Sequence, residues 1–227
     1  MVNKLKYLFL IFGMWFSLTT FAQKNDMDLG MSISGDLEKS LNRKWDLSFG
    51  QEVRLIDNPV VFSRSTTSIG LDYTLFERKM KIGAYYAFLY LYNNDYLFEA
   101  RHRYYFNISY KEALGQFTLS WRGRLQGTTR DENRGMYKIN PKYVMKNKFQ
   151  VEYAVWGRPW KPFISGDLST DLNNPMGNDL TRVRYEVGTA WRLNRTDYID
   201  IFFRFDQYLD TRDPYVLSFG IGYKLKL

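Results

Sequence analysis

The stretch WDLSFGQEVRL, residues 45–55, alternates apolar and polar side chains with a period of two. Its odd positions are mostly aromatic or aliphatic, from Trp45 to Leu55, whereas its even positions include the charged residues Asp46, Glu52 and Arg54. Successive side chains of a β-strand point to opposite faces of the sheet. The stretch therefore predicts a strand with one apolar face and one charged face.

The same alternation recurs along the chain, and helical periodicity is nowhere competitive. The further segments are 27–37, 65–76, 79–92, 97–110, 115–126, 147–156, 160–169, 181–193, 198–208 and 215–227. Tight turns such as Glu77-Arg78-Lys79 alternate with longer polar links, of which 56–64, 172–179 and above all 127–143 stand out. Short turns at one end and long loops at the other are typical of an all-β, transmembrane, antiparallel up-and-down β-barrel.

The strand number needs a decision, because the segments number eleven and bacterial single-chain barrels have an even number of strands. Either 27–37 is not a full strand, which leaves ten, or one strand has been merged or missed, which gives twelve. The apolar set Met27, Leu29, Met31 and Ile33 indicates a real first strand. We therefore favour twelve strands over ten.

Residues 1–22 have the composition of a secretory signal peptide. Lys4 and Lys6 precede an apolar stretch over 7–18, and Thr20 and Ala22 are the small residues that predict a cut before Gln23. The alternative is a membrane anchor, but the stretch is shorter than the ~20 residues that a spanning helix needs. Cleavage lowers the formal net charge from +8 to +6 and leaves 23–227, which no linker divides, as one barrel domain.

Strand length and aromatic content distinguish a membrane barrel from a soluble one. The segments run longer than the ~5–6 residues usual in soluble proteins, and the chain holds 41 aromatic residues, or 18%. Aromatic rings lie at the ends of the apolar faces, as in Trp45, Phe98 and Tyr223, where membrane barrels carry their girdles. We therefore expect a Gram-negative outer-membrane location, contact with outer-membrane lipid and lipopolysaccharide, and recognition of the last strand by the barrel assembly machinery.

The charged face must then line the lumen, because each Arg or Lys facing lipid at mid-depth would cost about 2–4 kcal/mol. The predicted lumen-lining charge ladder consists of Arg54, Arg101, Arg103, Arg122, Arg124, Arg182, Arg184, Arg204, Glu52, Asp72, Glu99, Glu152, Asp167, Glu186, Asp200 and Asp206, and Lys146 and Lys148 share its face. Opposite charges on neighbouring strands are expected to pair. Glu152 and Asp167 could face each other across a hairpin and share a proton, as a general acid–base pair would, but the surrounding arginines favour simple ion pairs.

Composition argues against most chemistry. The chain has no cysteine, which removes disulfides, thiolate metal sites and cysteine nucleophiles, and it has one histidine. That histidine, His102, falls on the lipid face, where a membrane hydrolase would need a serine beside it, but Tyr104 follows two residues on. We expect no enzyme, no cofactor, no metal site and no nucleic-acid partner; an outer-membrane lipid hydrolase is the least favoured alternative.

The chain also resembles a family of uncharacterised outer-membrane barrels, domain of unknown function 2490. The resemblance rests on QEVRL (51–55), IGLDYTLFERKMKIGAYY (69–86), EARHRYYF (99–106), WRGRLQ (121–126), WKPFIS (160–165), RVRYEVG (182–188) and YVLSFGIGYKL (215–225). It implies an outer-membrane barrel of unknown activity and adds no chemistry.

Two functional hypotheses follow from these observations. The first is a structural or surface-interacting barrel with a charged, mostly filled lumen, whose loop residues Arg130, Arg134 and Lys138 would meet lipopolysaccharide phosphates. The second is a narrow, porin-like pore for small, preferably anionic solutes, because rings of charge confer selectivity on pores.

Overall fold

The computed structural model describes residues 27–57, 59–76, 79–92, 98–130, 140–175, 177, 179–209 and 215–227. The predicted signal peptide and the loop residues Arg134 and Lys138 lie outside the described residues. Within them the chain folds into eleven β-strands that form one closed barrel in chain order. The strands are β1 (Met27–Ser40), β2 (Trp45–Ile56), β3 (Val61–Leu75), β4 (Met80–Tyr92), β5 (Phe98–Leu114), β6 (Phe117–Arg130), β7 (Lys142–Tyr153), β8 (Trp160–Asp171), β9 (Leu180–Arg192), β10 (Asp197–Tyr208) and β11 (Tyr215–Lys226).

The described barrel has eleven strands, so the predicted choice of twelve over ten is wrong. Each alternating segment is a strand, and the number is odd because β1 runs parallel to β11, from Met27 opposite Tyr215 to Glu38 opposite Lys226. Every other neighbouring pair is antiparallel. A fully antiparallel closure requires an even number of strands, and one parallel seam removes that requirement.

The parallel seam also fixes where the chain enters the barrel. Met27 lies beside Tyr215, at the end where the longer links leave β6 and β8, and the short turns lie at the other end. We call these the loop end and the turn end. Among the described residues no helix is long and apolar enough to cross a membrane.

Two of the predicted links are shorter than their sequences suggest. β3 begins at Val61, inside the predicted link 56–64, and β6 continues to Arg130, inside the predicted link 127–143. In β2 and β3 a bulge between Arg54 and Leu55 shifts the register, so the alternation is broken there and the strand is hard to follow in the sequence.

The outer face of the barrel is apolar. Large side chains such as Phe106 and Ile164 are exposed on it by 61% and 62%. In the described strands the charged members of this outward set are Lys39, Glu112 and Asp197, which all lie within two residues of a strand end.

The interior is polar and charged, which inverts the arrangement of a soluble barrel. The buried residues are fifteen polar or charged side chains and four apolar ones: Ala87, Leu89, Tyr105 and Val144. Gly70 allows the ring of Tyr85 to lie against the barrel wall, since an added Cβ at Gly70 would lie 1.9 Å from Tyr85 Cδ1. The barrel therefore encloses a charged lumen with a small apolar region on β4 and β5.

Candidate functional site

The lumen contains a cavity of about 770 Å³ with an excess of basic residues in its lining. Thirteen Lys and Arg and seven Asp and Glu side chains line it within the described residues. Of the predicted ladder, the structure places in this lining Arg54, Arg101, Arg103, Arg122, Arg124, Arg182, Arg184, Arg204, Glu52, Glu152, Asp167, Glu186 and Asp200.

The other three predicted residues contact inward-facing side chains behind this lining. Asp206 accepts hydrogen bonds from Arg184, Glu99 accepts them from Arg101, and Asp72 accepts one from the Tyr85 hydroxyl. The structure thus brings the whole predicted ladder to the inside of the barrel, although charge pairing is uneven around it.

One side of the lumen is neutralised by ion pairs. Arg184 on β9 donates two hydrogen bonds to Asp206 on β10, at 2.5 and 2.9 Å, and both side chains are buried. Glu186 accepts from Arg204 Nε and from Lys148 Nζ, each at 2.8 Å. We call the inner face of β8–β10, which carries these pairs, the ion-paired wall.

The adjoining strands β5–β7 hold cations that form no salt bridge among the described residues. Arg103 on β5, Arg122 and Arg124 on β6 and Lys146 on β7 all line the cavity, and we call these four residues the basic wall. The register places Arg124 directly opposite Lys146 and Arg122 directly opposite Lys148. Like charges directly opposite each other on neighbouring strands destabilise a sheet.

Two arginines of the basic wall are oriented by neutral groups. Arg103 Nε donates to Thr128 Oγ1 at 3.0 Å, and Arg124 Nε donates to Asn107 Oδ1 at 2.8 Å. The Arg124 guanidinium also lies 4.1 Å from the centre of the Tyr105 ring. These contacts fix the side chains without neutralising them.

Tyr105 is itself held from behind. Its ring stacks on that of Tyr85, with centroids 4.8 Å apart and planes inclined by 5°, and the Tyr85 hydroxyl donates to Asp72. The support for Arg124 therefore extends through the rings of Tyr105 and Tyr85 to the Asp72 carboxylate.

Further cations approach the basic wall from other strands. Arg54 and Arg64 lie directly opposite each other on β2 and β3, and the Nε atom of each is buried with no hydrogen-bond partner. Arg64 interacts electrostatically with Arg103 and with the Glu52 carboxylate. Lys146 interacts with the cations Arg103, Arg124 and Arg182 and, as its smallest interaction, with Asp167. Cations from β3, β5, β6, β7 and β9 thus converge on one part of the lumen.

The turn end of the lumen is crossed by a different network. Lys81 on β4 bonds Glu38 on β1 at 3.2 Å and Asp46 on β2 at 2.7 Å, and Lys224 on β11 bonds Glu38 at 2.8 Å. These four residues, which we call the turn-end network, do not belong to the cavity lining. The cavity lining therefore ends before this network.

The carboxylate pair considered for Glu152 and Asp167 is not formed, and each residue has a cationic partner, as the favoured interpretation predicts. Glu152 lies opposite Phe163, and Asp167 lies opposite Lys148. Their charges are instead compensated separately, by Lys111 at 3.7 Å and by Arg182 at 3.6 Å. The hairpin register differs by four residues on β8 from the one that the prediction requires, because the turn between β7 and β8 is longer than assumed.

The sequence reasoning missed Arg64, which it placed in a link. A usable signal exists, since Arg64 shares even parity with Thr66, Ser68 and Asp72 on the inner face of β3. The bulge at Arg54 and Leu55 obscured the start of that strand.

His102 lies on the outer face among aromatic rings. Its Nδ1 is 2.7 Å from the Tyr86 hydroxyl oxygen, and its ring contacts Phe88 edge-on at 5.6 Å. Within the described residues no group of three or more His, Cys, Asp or Glu side chains is arranged to hold a metal ion.

These observations define the class of protein: a closed β-barrel with an apolar outer face and a charged lumen. The chain belongs to the family described as "Protein of unknown function (DUF2490)", whose sequence model matches residues 12–213. This confirms the resemblance found in the sequence.

The fold has a relative among solved structures. The beta domain of the Bordetella autotransporter BrkA is similar to this chain with a TM-score of 0.42 and 10% identity, over 82% of this chain and 85% of that chain. Comparison with curated proteins finds no match.

Proposed function

We propose that the protein is an outer-membrane β-barrel, exported by the signal peptide predicted to end before Gln23. The exposed apolar belt supports this location, because its charged residues Lys39, Glu112 and Asp197 are confined to strand ends. Strands of 12 to 17 residues are long enough to cross an apolar band of about 25 Å when tilted. Its proposed partners are outer-membrane lipid, lipopolysaccharide and, during biogenesis, the barrel assembly machinery.

Within that membrane, we propose that the lumen admits small anions and forms a narrow, anion-preferring pore. The observation that carries this proposal is the imbalance of the cavity lining, thirteen basic against seven acidic side chains. Positive charge along a confined aqueous path raises the local anion concentration and excludes cations. The turn-end network would be the narrowest part of the path.

A structural or surface-interacting barrel is the second candidate. It is favoured by the same turn-end network, since Lys81 on β4 bonds both Glu38 on β1 and Asp46 on β2 and so ties this part of the barrel wall together. In this case the ion pairs would hold the barrel in shape and no solute would cross it.

Planar-bilayer recording separates the two candidates. A pore predicts discrete conductance steps whose reversal potential in a KCl gradient shows a preference for chloride, and Lys81→Ala should raise the conductance by opening the turn end. Lys79→Ala is the matched control, because Lys79 lies at the turn end bonded to the outward-facing Glu112 and should leave the conductance unchanged. Recordings without steps for both the wild type and Lys81→Ala would overturn the pore and favour the structural barrel.

The location has a separate test. The mature protein should fractionate with outer membranes and migrate differently on a detergent gel when boiled and unboiled. Recovery in the soluble periplasmic fraction, with identical migration in both states, would contradict the membrane barrel.

We propose no enzymatic role. His102→Ala is expected to leave the lipid composition of the outer membrane unchanged. A lipid-hydrolysis activity that this substitution abolishes would overturn that expectation.

A further inference from the structure

We infer that the basic wall, completed by Arg64, binds a compact multivalent oxyanion of the phosphate or phosphate-ester class. The inference deepens the proposed function, because it requires that small anions enter the lumen. It does not require that they pass through the barrel. The lumen would then contain a specific binding site for an oxyanion, in addition to the positive potential that attracts any small anion.

The first argument is that these cations are positioned but not neutralised. Arg103 and Arg124 each donate through Nε to a neutral acceptor, Thr128 and Asn107 respectively. Neither has a carboxylate partner among the described residues, although the neighbouring ion-paired wall shows that this chain supplies such partners elsewhere. Preorganised donors without a counter-charge are the arrangement that an anion-binding site needs.

The second argument is the cost of the arrangement without a ligand. Arg124 and Lys146 lie directly opposite each other, and Lys146 also interacts with Arg103 and Arg182. Such like-charge contacts oppose folding. A bound anion would attract each of these cations and so offset the repulsion between them. This explains how the fold can hold several cations close together.

The third argument is an unsatisfied hydrogen-bond donor, Arg64 Nε, on the nearby strand β3. Arg64 Nε is buried and has no hydrogen-bond partner, and its guanidinium interacts electrostatically with Arg103. Buried donors are nearly always paired with protein, water or ligand. An anion between β3 and β5 would place charge where this donor is left unpaired.

The chemistry of the donors selects the ligand class. Guanidinium groups match the oxygen pairs of phosphate and its esters through paired N–H donors, whereas a chloride ion offers a single acceptor atom and a single charge. A ligand of higher charge gains more from several converging cations. The cavity of about 770 Å³ leaves room for an attached organic group, and Tyr105 and Ala87 offer it an apolar contact.

The experiment is binding of inorganic phosphate and pyrophosphate to the folded full chain in detergent micelles, measured by equilibrium dialysis at constant ionic strength. We expect saturable binding, tighter for pyrophosphate, that chloride or acetate competes for only weakly. Lys146→Met and Arg124→Gln should each lower the affinity by about tenfold, since one charge-assisted contact is lost. Lys111→Met, another lumen lysine at the turn end, should change it less than twofold, because its single contact is the loose pair with Glu152.

The outcomes separate this site from the pore. Absence of saturable phosphate binding by the wild type would overturn the site even where bilayers show anion conductance. Equal affinities in the wild type, Lys146→Met and Arg124→Gln would show that phosphate binds elsewhere, which also overturns it. Saturable binding lost in these variants without any conductance would support the site and overturn only the pore.

Folding of each variant is checked by the difference between its migration on boiled and unboiled gels. Asn107→Leu changes no charge and provides an independent variant, for which we expect the phosphate affinity to fall by about threefold.

Discussion

The ion-paired wall and the basic wall lie side by side around one lumen and are built from the same residue types on the same kind of strand. On β8–β10 the register places Arg184 opposite both Asp167 and Asp206, so a cation has a carboxylate on each neighbouring strand. On β6 and β7 the register places Arg124 opposite Lys146. The two walls therefore differ in the residue that lies opposite each cation on the neighbouring strand. They do not differ in the amount of positive charge they carry.

This difference shows which charges serve the fold. On the ion-paired wall each cation compensates a buried carboxylate that would otherwise be unpaired. These ion pairs therefore stabilise the fold. On the basic wall the Arg103 and Arg124 side chains are held by a hydroxyl, an amide and an aromatic ring, and their charge remains available to a ligand. Substitutions on the first wall should lower stability, and substitutions on the second should change anion binding.

The largest effect is expected from breaking the most buried ion pair. Asp206→Asn removes the charge that receives both hydrogen bonds from the buried Arg184, and of the two carboxylates opposite Arg184 only Asp167 then remains. We expect the free energy of unfolding to fall by about 3 kcal/mol. Urea unfolding in lipid vesicles, followed by tryptophan fluorescence, measures it.

The matched control for this substitution is Asp179→Asn, which makes the same chemical change at an exposed position before β9. It should leave the unfolding free energy within about 0.5 kcal/mol of the wild type. Equal stabilities for Asp206→Asn and the control would mean that the ion-paired wall does not stabilise the barrel.

A smaller loss is expected behind the basic wall, at Gly70. In Gly70→Ala the added methyl would lie 1.9 Å from Tyr85 Cδ1, so the ring must leave its stacked position on Tyr105. Overpacking of this kind costs about 2 kcal/mol, measured by the same urea titration. Gly35→Ala is the control, because nothing lies within 4 Å of an added Cβ there, and a loss as large as that of Gly70→Ala would contradict the steric explanation.

Period-two alternation was sufficient to find the strands and their faces. Each of the eleven segments read from the sequence is a strand, and residues such as Arg54 and Arg124 face the lumen as their parity predicts. The signal is strong because an apolar outer face and a charged inner face place opposite requirements on adjacent positions of each strand. The general preference for an even strand number then led to the wrong total.

Register and pairing partners could not be read from the sequence. The parallel seam between β1 and β11 depends on how the barrel closes, and nothing local in Met27 to Ile33 distinguishes a parallel from an antiparallel neighbour. The position opposite Asp167 depends on the turn length between β7 and β8 and on the stagger of the strands. A nearly balanced ladder was therefore expected where the structure separates paired from unpaired charge.

Two lysines two residues apart on β7 give a direct comparison of the walls. Lys148 bonds Glu186 at 2.8 Å, whereas Lys146 lies opposite Arg124. In chloride without phosphate, Lys148→Met should lower the unfolding free energy by about 1 kcal/mol, because a buried charge-assisted hydrogen bond is lost. Lys146→Met should raise it by about 0.5 kcal/mol, because a like-charge contact is removed.

The opposite signs of these two changes are the readout, and each substitution keeps the length of the side chain. Urea titrations of both variants in one buffer suffice. A loss of stability in both would indicate that Lys146 has an unrecognised partner in the lumen and would remove the distinction between the walls.

The smallest effect is expected at the hydroxyl that orients Arg103. Thr128→Val keeps the shape of the side chain but removes the acceptor for Arg103 Nε, so the unfolding free energy should fall by only about 0.5 kcal/mol. Phosphate affinity should fall by about threefold, because the guanidinium must then be ordered by the ligand. Thr118→Val on the same strand, at the turn end opposite Glu152, should change neither quantity. An unchanged phosphate affinity in Thr128→Val would mean that neutral acceptors do not position the basic wall, and the two walls would then differ only in net charge.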